Sequence, residues 1–178
     1  MDIGVVSVRY ARALLKSAEA EKSEDKVYAE MQTLVQSYIR VPELRLTIDN
    51  PMLEKNTKEK LILTACGTKV TPLTGRFVKL VLQENRETML QFIAAAYVTL
   101  YRKQKNITRG KLITAAQVNP QTEAKMRQMV ESRTNGRVEF QTEVNPDIIG
   151  GFILEYDTYR MDASVQSKLR SVLTLLSK

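Results

Sequence analysis

Apolar side chains recur at intervals of three and four residues through the first 105 positions, which is the spacing of amphipathic helices. The first helix is predicted over Val5–Ala20. Its main apolar stripe consists of Val5, Val8, Ala11, Leu14, Leu15 and Ala18. A second apolar flank consists of Val6, Tyr10 and Ala13, and the charged side consists of Arg9, Arg12 and Lys16. Two apolar flanks favour either complete burial in a bundle or a groove for a partner helix, and the pattern does not choose between them.

Cap and turn residues divide this region into six predicted helices. Ser23 is a candidate N-cap for the second helix, which Pro42 ends or restarts. A short turn is predicted over residues 43–48. Asn56 or Thr57 then opens another helix.

The later helices of this region have clear boundary signals. Gly67 is in the position of a helix C-terminus. Thr71 and Pro72 form an N-cap followed by a first-turn proline, which predicts a fifth helix over Pro72–Glu84. A sixth helix is predicted from Glu87 to about residue 105. Six helices with links this short favour an antiparallel bundle.

The apolar spacing changes near residue 106 from helical to alternating. Strands are predicted at 111–118 and 137–141, with a helix over 121–134 between them. Asn135-Gly136 is a hairpin or helix-stop signal. We therefore predict an α+β protein in which an N-terminal six-helix bundle, residues 1–105, precedes a small mixed β-α-β-β-α domain, residues 106–178.

The stretch from Val144 to Leu176 contains a turn, a strand and a terminal helix. Asn145-Pro146-Asp147 is a turn signal, and Gly150-Gly151 within an apolar run indicates a bulge or a close backbone approach. Asp162 or Ser164 is the candidate N-cap of the terminal helix. The apolar stripe of this helix consists of Val165, Leu169, Val172, Leu173 and Leu176.

This stretch resembles the C-terminal signature of the delta subunit family of F-type ATP synthases, which is the oligomycin sensitivity-conferring protein in mitochondria. The run VNPDIIGGFILEYD is followed by MDASVQSKLRSVLTLL. The family's apolar pair, small pair and Asp-x-Ser step correspond to Ile148-Ile149, Gly150-Gly151 and Asp162-x-Ser164. RYARALLKSA, from Arg9 to Ala18, resembles the family's first helix, and LVLQENRE, from Leu80 to Glu87, resembles its fifth.

The resemblance implies a non-catalytic peripheral-stalk subunit that links the catalytic head to the membrane sector. It implies that the N-terminal segment of an alpha subunit binds between the first and fifth helices. It also implies that the C-terminal domain contacts the C-terminal end of the stalk b subunits. The candidate groove residues carried over from the resemblance are Tyr10, Ala13, Leu14, Phe77, Leu80, Val81 and Arg86. Asn85-Arg86 matches the family's Asn-x-Arg-like step after the fifth helix, which implies that Arg86 is a helix-end or partner contact.

Reactive side chains are few. The chain has no histidine, which removes the commonest general base and metal ligand. It has no Gly-rich phosphate loop, and Gly150-Gly151 lacks the wider nucleotide fingerprint. Cys66 lies on an apolar helix face and is predicted to be a buried structural thiol. Asp147, Glu155, Asp157 and Asp162 are better explained as caps and solvated strand positions than as acid–base groups. No cofactor or metal site is predicted.

Charge and composition leave two alternatives to the peripheral-stalk subunit. The net charge is +7, but the Lys and Arg residues are dispersed, so a basic nucleic-acid-binding adaptor is the second hypothesis. A small enzyme that uses carboxylates or Cys66 is the third. No run of about 20 apolar residues predicts a membrane span, and no targeting pattern opens the chain. These two observations predict a cytoplasmic location in a bacterium. The family resemblance further implies a peripheral position at the cytoplasmic face of the cell membrane, held there through the complex.

Overall fold

The computed structural model describes residues 3–134, 136–156 and 159–176. The chain forms two compact units, one ending at Lys103 and the other beginning at Gln104. In the described ranges it contains eight α-helices and one four-stranded sheet, which confirms the predicted α+β class.

The N-terminal part is built from helices. They are α1 (Ile3–Ala20), α2 (Glu24–Arg40), α3 (Pro42–Asp49), α4 (Lys55–Cys66), α5 (Pro72–Gln83) and α6 (Leu90–Gln104), with a short 3-10 helix at Glu87–Met89 before α6. The core contains one or more apolar side chains from each of these six helices. Its largest fully buried members are Tyr97, Leu14, Met31, Leu34, Ile48, Ile62, Leu90 and Ile93.

The buried side of α1 differs from the predicted stripe. Val5 and Val8 are 56% and 38% exposed, whereas Val6 and Ser7 are buried. Each helical residue turns by about 100°. The buried row of α1 therefore runs from Leu14 through Ala11 to Ser7. Val5 and Val8 lie on the outer flank of the helix.

Two other helix predictions were wrong. The predicted turn at 43–48 is the helix α3, because Pro42 presets the first-turn backbone and Leu44 and Ile48, four residues apart, both bury. Helix α4 starts at Lys55, before the predicted Asn56 or Thr57.

The predicted caps had mixed outcomes. Ser23 occupies the N-cap position of α2, but its side chain makes no capping hydrogen bond. Instead, Ser23 Oγ donates to the carbonyl oxygen of Ala18 at 3.5 Å, at the end of α1. The Thr71 cap is confirmed, since Thr71 Oγ1 accepts from the Thr74 N–H at 3.3 Å. Gly67 closes α4 with φ +131°, as its position predicted.

The C-terminal unit is a small mixed α/β structure. Its elements are β1 (Ile107–Thr114), α7 (Pro120–Thr134), β2 (Arg137–Val144), β3 (Phe152–Tyr156), β4 (Tyr159–Asp162) and α8 (Val165–Leu176), with a short 3-10 helix at Pro146–Ile148. The sheet order is β2-β1-β3-β4; β1 pairs with β2 in parallel, and the other pairs are antiparallel. Leu112, Val138 and Leu154 on one sheet face pack with Val130 of α7.

The predicted β-α-β-β-α order was incomplete. It lacks β4, which pairs with β3 from Ile153↔Asp162 to Tyr156↔Tyr159. Strand β1 also begins and ends four residues earlier than predicted, because its register with β2 runs from Ile107 to Thr114. Gly136 lies between α7 and β2, so of the two alternatives the helix stop fits and the hairpin does not; Asn135 lies outside the described residues.

The glycine pair makes the close backbone approach that was one of its predicted alternatives. Gly151 has φ +75°, and a Cβ atom there would lie 2.3 Å from the carbonyl oxygen of Ala163. The turn before it is also confirmed, because the Asn145 side chain accepts a hydrogen bond from the Asp147 N–H at 2.9 Å.

Candidate functional site

A groove of about 610 Å³ lies between α1 and α5. Its lining residues come from both helices and from the end of the following loop. They are Val6, Arg9, Tyr10, Ala13, Leu14, Ser17, Leu73, Arg76, Phe77, Leu80, Glu84 and Arg86. We call this hollow the α1–α5 groove.

Apolar side chains form most of the groove surface. The rings of Tyr10 and Phe77 meet edge to face, with centroids 6.4 Å apart and an interplanar angle of 67°. Leu14 and Phe77 are buried and contribute little exposed surface to the groove, whereas Leu80 remains 46% exposed. Ala13 is exposed, and its small side chain leaves room for a second backbone to approach. The groove therefore presents an apolar, partly open surface.

Charged groups lie at both ends of the groove. At one end the Arg86 guanidinium lies 6.0 Å from the centre of the Tyr10 ring, and Arg86 Nη1 donates to Met89 Sδ at 4.0 Å. At the other end Arg76 forms an ion pair with Glu21 at the end of α1. Since Arg76 lies on α5, this pair ties the two walls together.

The start of α5 is held by a buried carboxylate of α2. Glu30 is 6% exposed, and its two oxygens accept hydrogen bonds from the N–H and Oγ1 of Thr71 at 2.7 and 3.0 Å. Because Thr71 is itself the N-cap of α5, Glu30 connects α2 to the first turn of a groove wall.

The segment after α5 is held by a second buried charge. Lys58 of α4 is 3% exposed and donates to Glu87 Oε1 at 2.8 Å. Burial of Glu87 by itself would raise its pKa, but the hydrogen bond and positive charge of Lys58 outweigh it and hold the pKa below the ordinary value. The pair fixes the residue next to Arg86.

The structure brings together six of the seven candidate groove residues. Tyr10, Ala13, Leu14, Phe77, Leu80 and Arg86 all line the groove. Val81 does not, because its side chain is fully buried in the core of the N-terminal unit. On the α5 side the missed residues are Leu73, Arg76 and Glu84. Leu73 and Glu84 continue the row of Phe77 and Leu80 at spacings of four, three and four, and this row was the available signal. On α1 the missed residues are Val6, Arg9 and Ser17.

The other candidate reactive groups do not converge. Cys66 is buried, and burial, with the nearby Glu30 carboxylate, raises the pKa of its thiol to about 12. Hydrogen bonds from Ser164 and Ser167 lower the pKa of Asp162 to about 2, so this carboxylate anchors the start of α8. Ser164 Oγ also accepts from the Ser167 N–H, so both candidate caps take part.

The remaining carboxylates have local roles. Glu155 faces Arg160 on the neighbouring strand at 3.5 Å, and Asp147 is exposed in the turn; Asp157 lies outside the described residues. Within 3–134, 136–156 and 159–176, no three residues of the metal-ligating types form a group. The same ranges contain no helix both long and apolar enough to cross a bilayer.

Helix α8 presents its apolar stripe to solvent. We call this stripe the α8 apolar face; it consists of Val165, Leu169, Val172, Leu173 and Leu176. None of the residues of α8 is buried, and Leu173 is 66% exposed. A helix with this pattern usually covers its apolar side against a neighbour.

Comparisons with known proteins agree with this architecture. A chain in a cryo-EM composite model of the Toxoplasma gondii mitochondrial ATP synthase hexamer shares the fold, with a TM-score of 0.63 and 22% identity over 97% of both chains. Curated relatives include an ATP synthase subunit delta of Phocaeicola vulgatus, 49% identical over 97% of this chain and 94% of its own length. Another from Parabacteroides distasonis is 41% identical over 98% and 97%. The family model described as "ATP synthase delta (OSCP) subunit" matches residues 6–176, and the chain therefore belongs to that family.

Proposed function

We propose that this chain is a non-catalytic peripheral-stalk subunit of an F-type proton-translocating ATP synthase. It links the catalytic head to the membrane sector and resists the torque of the rotor. The observation that carries this proposal is the family match over residues 6–176. The same match excludes the two alternative hypotheses for this chain, the nucleic-acid-binding adaptor and the small enzyme.

The six helices before residue 105 act, in this proposal, as the unit that holds the head. The α1–α5 groove binds the N-terminal segment of an alpha subunit as an amphipathic helix. From Val6 to Ser17, α1 advances by about 16 Å, enough for roughly three turns of a bound helix. Anchors at i, i+3 or i+4, and i+7 of such a helix would contact Leu80, Phe77 and Tyr10.

The predicted C-terminal domain, residues 106–178, attaches to the stalk. Its partner is the C-terminal end of the b subunits, and the α8 apolar face is the contact surface that we propose for it. The exposure of its leucines and valines supports this choice, because contiguous apolar surface on a helix is a common feature of binding sites. The whole chain would then lie at the cytoplasmic face of a bacterial cell membrane, held peripherally by the complex.

A stator link needs lasting contacts and stiffness and no reactive side chain. In the N-terminal unit, Glu30 ties α2 to α5, and the Lys58–Glu87 pair ties α4 to the end of the groove. These polar contacts between helices favour a rigid groove wall. A rigid wall loses less conformational entropy when a partner binds.

The test is the binding of a synthetic peptide, about the first 25 residues of the alpha subunit from the same organism, to the full chain. Calorimetry should show binding to the wild type and a loss of at least about tenfold for Tyr10→Asp, since a carboxylate would face apolar anchors. Tyr159→Asp, at a 65% exposed tyrosine of the other unit, is the matched control and should leave the affinity unchanged.

Circular dichroism verifies that both variants remain folded. Equal peptide affinity for wild type and a folded Tyr10→Asp variant would contradict the groove assignment. No binding by the wild type would contradict the alpha-subunit partner.

A further inference from the structure

The outer flank of α1 carries a row of uncompensated positive charge. Arg9, Arg12 and Lys16 are exposed and lie three and four residues apart, so they follow one side of the helix. The side chains of these three residues make no hydrogen bond or ion pair with any residue in the described part of the chain. We call this set the α1 basic row.

The row borders a second hollow that adjoins the groove. This hollow, also about 610 Å³, is lined within the described residues by Gly4, Val5, Val8, Arg9, Arg12, Ala13 and Lys16. Arg9 and Ala13 line both hollows, so the two surfaces are continuous across α1. The exposed Val5 and Val8 make this flank both apolar and basic.

No acidic residue in the described part of the chain forms an ion pair with the row. From residue 3 to residue 18 the sequence contains no Asp or Glu, and Glu19 of α1 lies beyond the last member of the row. The other two arginines of the groove have contacts of their own, since Arg76 pairs with Glu21 and Arg86 lies over the Tyr10 ring. A line of cations beside a low-dielectric apolar surface attracts carboxylates and steers a charged partner as it approaches.

We propose that the occupant of the α1–α5 groove is an amphipathic helix with one acidic flank, whose carboxylates face Arg9, Arg12 and Lys16. This inference rests on the proposed function, in which the groove binds a helical segment. The acidic side chains of the bound helix would be spaced three or four residues apart, to match the row. A protein helix fits this surface because the exposed Val5 and Val8 lie next to the row on the same flank, so the flank offers apolar contacts as well as charge.

The proposal also assigns an orientation. The bound helix sits with its apolar edge on Tyr10, Phe77 and Leu80 and its acidic edge toward α1, not toward α5. Glu84 on the α5 side of the groove would repel a second acidic edge. The charges therefore determine which side of the bound helix faces α1 and which side faces α5.

The experiment compares two charge reversals of equal size in the full chain. Arg9→Glu/Arg12→Glu reverses the row, and Lys60→Glu/Lys79→Glu reverses two exposed lysines that line neither hollow. The probe is the same alpha-subunit peptide, titrated at about 50 mM and about 300 mM salt, where exposed charges are screened to different extents. Arg9→Gln/Arg12→Gln, which removes the charge without reversing it, should give an intermediate affinity.

We expect the row reversal to weaken binding by about tenfold at low salt and by about threefold or less at high salt. The control reversal should change the affinity by less than about twofold at either salt concentration. Circular dichroism verifies that each variant is folded.

Three outcomes would overturn the inference. If the wild type binds the peptide and the row reversal binds it equally well, the acidic flank is wrong while the proposed function stands. If the wild type binds phosphatidylglycerol vesicles, and the row reversal abolishes only that binding, the row recognises lipid. Failure of the wild type to bind the peptide at all would overturn the proposed function and this inference with it.

Discussion

A single buried carboxylate, Glu30, positions one wall of the groove. It lies 41 residues before Thr71 in sequence, yet its oxygens accept the two hydrogen bonds that fix the N-cap of α5. Both Thr71 donors are thereby satisfied away from bulk water, and a charged acceptor makes such bonds stronger than neutral ones. The geometry of the groove therefore depends on a residue that does not line it.

Glu30→Gln should destabilise the chain by about 1–3 kcal/mol, because the amide accepts fewer hydrogen bonds and places an NH₂ group where an acceptor is needed. Urea unfolding followed by circular dichroism measures this loss. Glu59→Gln, at a partly exposed glutamate of α4, is the matched control and should change stability by less than about 0.5 kcal/mol. Equal losses for the two variants would show that Glu30 has no special role.

At the scale of elements, the contact between α4 and the short helix after α5 depends on a charge pair. Lys58 and Glu87 are 29 residues apart, and both are largely buried. Breaking such a pair by removing one partner leaves an unpaired buried charge, which costs more than replacing both partners. The pair thus holds Arg86 and the end of the groove at one position.

This pair predicts a specific sensitivity to acid. The pKa of Glu87 is lower in the folded chain than its ordinary value of 4.5, so its stabilisation is present above that pH. As the pH falls, the Glu87 carboxylate binds a proton in the unfolded state before it does so in the folded state. The stabilisation is therefore lost progressively until the pH has passed through the lower pKa of the folded state. The free energy of unfolding of the Lys58→Met/Glu87→Gln variant should therefore fall less steeply between about pH 6 and pH 3 than that of the wild type.

Urea unfolding at several pH values measures this difference. Glu87→Gln alone should be less stable than the double variant at neutral pH, because Lys58 keeps its buried charge without a negatively charged partner. Identical pH profiles for the wild type and the double variant would exclude the pair as a source of acid sensitivity.

For the whole molecule, the proposed function requires two separate attachment surfaces, one on each unit. The α1–α5 groove belongs to the unit that ends at Lys103, and the α8 apolar face belongs to the unit that begins at Gln104. A link between head and stalk fails if either attachment fails. Variants of the two surfaces should therefore separate the two partners.

Leu173→Glu should abolish co-purification of the b subunits with the tagged chain while the alpha-subunit peptide still binds with wild-type affinity. Leu173 is 66% exposed, so the fold should survive. Leu46→Glu, at a 73% exposed leucine of α3, is the matched control and should retain both partners. Retention of the b subunits by Leu173→Glu would exclude α8 as the stalk contact.

The sequence by itself determined the features that depend on local spacing and local hydrogen bonds. Thr71-Pro72 and Gly67 mark helix ends through their own backbone preferences, and the Asn145 turn closes on a residue two positions away. The family resemblance, carried by motifs of this kind, selected both walls of the groove. Six of its seven candidate residues line it.

Only the tertiary structure decided features that depend on residues distant in sequence. The apolar stripe of a helix shows that one side is apolar, but the packing of neighbouring helices determines which residues of that side are buried. On α1, Ser7 is buried and Val8 is exposed, and on α5, Val81 is buried and Leu80 lines the groove. Strand β4 and the register of β1 depend on pairing with other strands. The bonds of Glu30 to Thr71 and of Lys58 to Glu87 join elements whose proximity no local pattern encodes, because burial is a property of the packed chain and not of a single segment.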